Sequence, residues 1–206
     1  MPDGLQLQWQ RILVVGRFDQ LQYGIEQEVG VQHRVPAILD IEASGFGHGS
    51  YPLEIGVALS DRSVHSFLIA PHADWTHWRE DAAALHGLSR DQLLAEGESP
   101  LTVARALNEI LEGQVVYSDG WGVDSGWLSL LYYYAGIPQA YRLETLARIL
   151  SHEQMLLWDE AHDRVWSGHE QQRHRAGFDA SQLQAIFVDT WDQVQLRRRH
   201  QQFHAE

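Results

Sequence analysis

The sequence predicts an α/β fold built on a mixed sheet, and three observations carry that expectation. Apolar runs of strand length open the regular part of the chain at Val35–Ala43, Pro52–Ser60 and Val64–Pro71. The second and third are joined only by Asp61-Arg62-Ser63, a link short enough for a hairpin, so the three read as an antiparallel meander. Helix-period segments then alternate with one more strand-like run, Val115–Ser118, which is the layout of a sheet flanked by helix–strand–helix units.

The later elements each carry a local signature. A helical stretch around Trp78–His86 precedes Ser89, whose spacing to Gln92 gives a capping-box start for another short helix. Ser99-Pro100 reads as N-cap and first helical residue. Val103, Leu107, Ile110 and Leu111 follow at helical spacing, and Gly113 marks the stop. Asp124–Ala135 reads as a helix ended by Gly136 and Pro138. Arg142–Leu150 and Glu153–Ala161 are expected to be helical, and a last helix is expected from about Ala176 to about Arg198. Residues 1–34 do not join this pattern. They hold a short apolar segment, Ile12–Val15, and a Gln-rich polar stretch to His33, which fits an extra strand with a loop, a dimerisation arm or a leader. The expected organisation is an extension over 1–34, a domain over 35–195 and a basic tail over 196–206.

Composition narrows the classes. A chain of 206 residues with 44% hydrophobic residues has room for one domain with an ordinary core. The absence of cysteine excludes a disulfide framework, a thiolate metal site and a cysteine nucleophile. With no 18-residue apolar run and no signal-peptide layout, a soluble cytoplasmic protein without a membrane partner is the expectation. A net charge of −13 argues against a broad basic face for duplex DNA, because phosphate contacts dominate such binding. A small metal-lined cleft for a single-stranded end remains compatible with that charge.

The chemistry starts in Ala37-Ile38-Leu39-Asp40-Ile41-Glu42-Ala43-Ser44-Gly45. Residues two apart on a strand share a face, so Asp40 and Glu42 stand side by side in a run that otherwise belongs to a core. Two like charges held that close resist desolvation and call for a cation, and carboxylate oxygens suit a hard divalent one. A third acid, Asp124, lies where the Val115–Ser118 strand gives way to a Gly-punctuated turn and then a helix. Two further groups occur in His174-Arg175-Ala176-Gly177-Phe178-Asp179. Five residues apart on one helix, His174 and Asp179 would point roughly 140° from each other. Both reach one cleft if His174 sits in the preceding loop and Asp179 inside the helix.

Taken in order, Asp-x-Glu on the first strand, Asp at a strand-to-helix turn and His-x-x-x-x-Asp at the last helix resemble the DEDDh 3′–5′ exonucleases. That family includes DnaQ-type proofreading subunits, RNase T and oligoribonuclease. The resemblance covers about Val35 to Trp191, and the His86-Gly87-Leu88 turn also looks like family sequence. It implies a ribonuclease-H-like fold with Asp40, Glu42, Asp124 and Asp179 as ligands of two Mg²⁺ or Mn²⁺ ions and His174 as general base. It further implies that the loop of Ser44, Gly45 and Phe46 touches the 3′-terminal nucleotide, with Phe46 able to stack on a base. The implied substrates are 3′ ends of single-stranded DNA or RNA, or short oligonucleotides, cut to nucleoside monophosphates. A homodimer is implied by the RNase T-like and oligoribonuclease-like relatives. The residue types suit this chemistry, since two metal ions support in-line phosphodiester displacement and an imidazole titrating near 6.5 can take a proton from water near neutral pH.

One segment departs from the family pattern. Many members have His-Asn-x-x-Phe-Asp where this chain has Asp119-Gly120-Trp121-Gly122-Val123-Asp124, so Asp119 is an extra acid. Two other motifs lead nowhere. Gly45-x-Gly47-x-Gly49 is followed by a strand instead of the helix a dinucleotide site needs, and the second histidine of His169–His174 falls one residue late for a zinc-protease motif. Two other functions share this framework: a non-catalytic nucleic-acid-binding or assembly module, which would be expected to have lost an acid, and a phosphodiesterase for dinucleotides.

Overall fold

The structure is a computed structural model that describes residues 35–169 and 172–203; the extension read over 1–34 lies outside them. The strands are β1 (Ala37–Ala43), β2 (Pro52–Ala58), β3 (Val64–Leu68), β4 (Val115–Ser118) and β5 (Arg142–Thr145). The helices are α1 (Glu80–His86), α2 (Arg90–Glu96), α3 (Pro100–Leu111), α4 (Trp121–Ala135), α5 (His152–Trp166) and α6 (Ala176–Phe203). The strands form one sheet in the order β3-β2-β1-β4-β5. As expected, β1, β2 and β3 are an antiparallel meander. The structure adds that β4 lies parallel to β1.

One element differs from the sequence reading. Arg142–Thr145 is a strand parallel to β4, followed by a 3₁₀ turn over Leu146–Arg148, where a helix was expected from Arg142 to Leu150. Arg, Leu and Glu are good helix formers, and a run this short has no periodicity of its own. Pairing with Val115–Ser118 overrides the local preference. α6 also continues past Arg198 to Phe203, so residues 196–203 of the basic tail are helical, and Arg198 is held by Glu153 at 2.7 Å.

Caps follow the sequence closely. Ser99 accepts from the Thr102 amide with Pro100 at the first helical position of α3. Ser89 accepts from the Gln92 amide, but the Gln92 side chain turns to Glu96, so only half of that capping box forms. The complete box is at α5, where Ser151 and Gln154 bond reciprocally. Between α1 and α2 the chain reverses at Gly87, which takes a left-handed φ of 69°, while the Leu88 amide donates to His86 Nδ1.

Alternation along β1 decides where the site can be. Leu39, Ile41 and Ala43 join Leu53, Ile55, Val103, Leu107 and Leu128 in the larger core, on the α3–α4 side. Ile38 faces the other way, with Ala58, Leu146, Ala180, Leu183 and Phe187 under α5 and α6. Asp40 and Glu42 share the parity of Ile38, so they lie on the face that α6 covers. Across the β1–β2 pair, Ile38 stands opposite Ala58, Asp40 opposite Gly56 and Glu42 opposite Glu54.

The start of α6 reaches that face through two glycines. A Cβ on Gly56 would lie 2.0 Å from the carbonyl carbon of Ala176, and one on Gly177 would lie 2.0 Å from Ser66 Oγ. The helix start is thereby seated directly on the strand position opposite Asp40. Gly56→Ala is expected to lower unfolding stability by about 1–3 kcal/mol or more, since the clash is with backbone that cannot swing aside. Gly126→Ala in α4, with open space around it, should raise stability by about 0.5–1 kcal/mol. Urea midpoints of the two variants against the parent protein check both signs.

Candidate active site

The side chains read from the sequence come from four places in this fold. Asp40 and Glu42 stand on β1, and Asp124 lies in the first turn of α4 just beyond the end of β4. His174 lies in the loop before α6, and Asp179 in the first turn of that helix. The division of His174 and Asp179 between loop and helix is as the five-residue spacing required. His174 takes a left-handed φ of 63°, and its amide donates to Asp179 Oδ2 at 3.0 Å. That bond turns the chain into the helix and brings imidazole and carboxylate to the same side.

Glu42, His174 and Asp179 each offer a ligand atom, and these atoms all lie within 4.8 Å of one another. Asp40 is not part of that trio but lies near enough to feel the charges of Glu42, Asp124, Asp119 and Asp179. Asp124 is buried, and its Oδ2 accepts a hydrogen bond from Ser118 at the end of β4. The carboxylate folds back over Gly120, where a Cβ would come within 2.8 Å of Oδ2. Asp119, the extra acid, is exposed at the β4–α4 turn and adds its charge to the surroundings of Asp40 and Asp124.

Burial makes the cluster reluctant to ionise. Desolvation, then repulsion from Glu42 and Asp124, pushes Asp40 well above the usual carboxylate range. Desolvation and the charge of Asp179 push Glu42 up to about 8, with Arg175 pulling the other way. Loss of solvent raises Asp124 to about 7 against the opposing bond from Ser118, and raises Asp179 to about 6 against the bond from the His174 amide. His174 is pushed down by burial and by Arg173, which favours a neutral imidazole. Asp40 Oδ2 and Asp179 Oδ1 are buried with no hydrogen-bond partner. Carboxylate oxygens left bare beside an imidazole fit a divalent cation.

Three residues that matter here were not singled out from the sequence. Glu54 is buried, and its carboxylate accepts from Arg175 Nε at 3.0 Å, Arg175 Nη2 at 2.9 Å and the Ala176 amide at 3.1 Å. Its signal was the one that exposed Asp40 and Glu42, a carboxylate inside an apolar strand. His77 could not have been found from the sequence, because it arrives from the β3–α1 loop. Its Nδ1 lies 3.0 Å from Ser44 Oγ, which also accepts from the Tyr51 amide. Ser44 is therefore buried and occupied within the loop, Gly45 packs on Arg79, and Phe46 is left at the surface 5.9 Å from the Trp127 ring.

A five-stranded mixed sheet with its antiparallel meander first and its last helix laid back across β1 and β2 is a ribonuclease-H-like fold. Among solved structures, E. coli Exonuclease I in complex with a dA16 oligonucleotide is similar to this chain with a TM-score of 0.56 at 13% identity, over 75% of this chain and 40% of that one. The zinc-bound E. coli Exonuclease I–ssDNA complex gives the same values, and the dT13 complex gives 0.50 at 12% identity over 80% and 42%. This chain thus spans about two fifths of the length of those proteins. Neither a known protein-family model nor a curated protein matches the sequence. Among the described residues no helix is long and apolar enough to cross a membrane.

The raised acids give a pH dependence of known sign. In the metal-free protein each binds its proton more tightly folded than unfolded, so stability falls as pH rises from the ordinary carboxylate range to about 8. His174 and His86, lowered by burial, act in the opposite sense up to 6.5. The net loss is therefore expected between pH 6.5 and about 8. Melting temperatures in EDTA should drop across that window, drop less in Glu42→Gln, and recover with millimolar Mn²⁺. A temperature that stays level in the parent protein would contradict the confined acidic cluster.

Proposed function

We propose that this chain is a metal-dependent 3′–5′ exonuclease that removes nucleoside monophosphates from single-stranded nucleic-acid ends. The observation that carries the reading is the convergence of Glu42, His174 and Asp179 within 4.8 Å, beside Asp40 and Asp124, whose burial also raises their carboxyls. The single-stranded oligonucleotides held by the similar E. coli Exonuclease I structures support the substrate class. The net charge of −13 favours short or single-stranded substrates over a long duplex.

Asp40, Glu42, Asp124 and Asp179 would hold two divalent ions, and the ions when bound supply positive charge that offsets the acids and the phosphoryl oxygens of the transition state. The acids themselves do the positioning. Asp40 and Glu42 are fixed by strand pairing, Asp124 by Ser118, and Asp179 by the His174 amide. Neutral His174 removes a proton from the attacking water as its oxygen forms the new bond to phosphorus. The bond from phosphorus to the 3′ oxygen breaks, and that oxygen leaves with a proton from solvent. Phe46, at the mouth of the loop that follows β1, offers a ring face to the terminal base without selecting among bases.

On a 5′-labelled single strand the parent protein should give a ladder that shortens from the 3′ end with Mg²⁺ or Mn²⁺, and nothing with EDTA. Asp40→Asn and Asp179→Asn should abolish it. His174→Gln should lower kcat by about 10²–10⁴-fold, the usual worth of a general base. Full activity in Asp40→Asn, or a ladder that survives EDTA, would overturn the assignment.

A further inference from the structure

We propose that Glu54 and Arg175 act as a positioning pair that assembles the site before any metal or substrate arrives, by pinning the start of α6 to β2. The proposal takes the exonuclease reading of the site as its frame and adds two residues that touch neither substrate nor metal.

The geometry is specific. Glu54 is 1% exposed on a strand whose other residues are apolar or glycine after Pro52, and it stands directly across from Glu42. A leucine there would fill the space without placing a second glutamate opposite the first. The carboxylate is instead met by three donors from one short stretch, two from the Arg175 guanidinium and one from the Ala176 amide. A two-pronged guanidinium contact fixes orientation as well as distance. The Arg175 carbonyl accepts from the Asp179 amide at 2.9 Å, so the residue held by Glu54 is also the first acceptor of α6.

Both functional groups of that segment hang from this anchor. His174 precedes Arg175 in the chain with its left-handed φ, and Asp179 closes the turn through the His174 amide. Glycine at 56 and 177 permits the close approach but does not set rotation or register about the contact. The fork from Arg175 to Glu54 does.

A test separates positioning from mere stability. Replacing an ion pair whose carboxylate is buried with apolar side chains of similar volume avoids leaving that charge unpaired, so Glu54→Leu/Arg175→Met is the main variant, with Arg175→Lys and Glu54→Gln as conservative ones. The primary readout is hydrogen exchange at the His174 amide in metal-free protein, which depends on neither metal nor substrate. It should speed up about tenfold or more in the double variant at an unchanged melting temperature, and less in Arg175→Lys. Mn²⁺ affinity by calorimetry should fall about 10–100-fold, the usual range for residues that support ligands, and kcat should fall with KM held. Wild-type exchange at His174 in the folded double variant overturns the proposal. If the double variant does not fold, wild-type exchange in both conservative variants overturns it equally. A parent protein that neither binds Mn²⁺ nor cleaves would sink the exonuclease reading, while the exchange result would still decide the role of the pair.

Discussion

Four carboxylates crowded into a space with little water are the constraint around which this end of the molecule is arranged. Ionised acids in such a place lose hydration and repel one another, and the raised proton affinities of Asp40, Glu42, Asp124 and Asp179 record both effects. The fold tolerates them because three of the four have limited local support. Asp124 takes the Ser118 hydroxyl, Asp179 takes the His174 amide within the first turn of a helix, and Glu42 feels Arg175. The dipole of α6 adds to this, since an acid in a first turn is favoured there. What remains uncompensated, with two carboxylate oxygens bare, is what a divalent cation can satisfy.

The same constraint explains why the close packing is where it is. Acids on β1 matter only if groups from α6 come down to meet them, and a helix normally rides about a side chain above a sheet. Gly56 and Gly177 remove that spacing at one place, opposite Asp40 and against Ser66. Further along, Ala180, Leu183 and Phe187 restore ordinary apolar packing, so α6 is anchored by a core at its middle and approaches the sheet backbone at its start.

Much of this was legible in the sequence, for physical reasons that can be named. The meander was readable because its strands are long and its second link is short. Asp40 and Glu42 stood out because a strand that should be apolar carried charge at the same parity. The separation of His174 from Asp179 followed from helical geometry alone. β5 was not legible, since Arg142–Thr145 is short, rich in helix formers and made a strand only by its neighbour. Glu54 carried the same signal as its partners on β1, a charge in an apolar strand, yet its meaning depends on Arg175, far away in the chain. The link from His77 to Ser44 had no sequence signal at all, because it joins two loops that only the folded chain brings together.

The backbone at His174 has a consequence for how such a chain can change over time. A left-handed φ at a residue with a side chain is uncomfortable for most amino acids, but glycine, asparagine and aspartate adopt it readily. The bond that starts the helix uses the amide of this residue, which every one of those replacements keeps. A single codon change can therefore remove the imidazole while leaving the turn and the acids where they are. Substitution at this one position thus alters what the cluster can do while the turn that carries it persists.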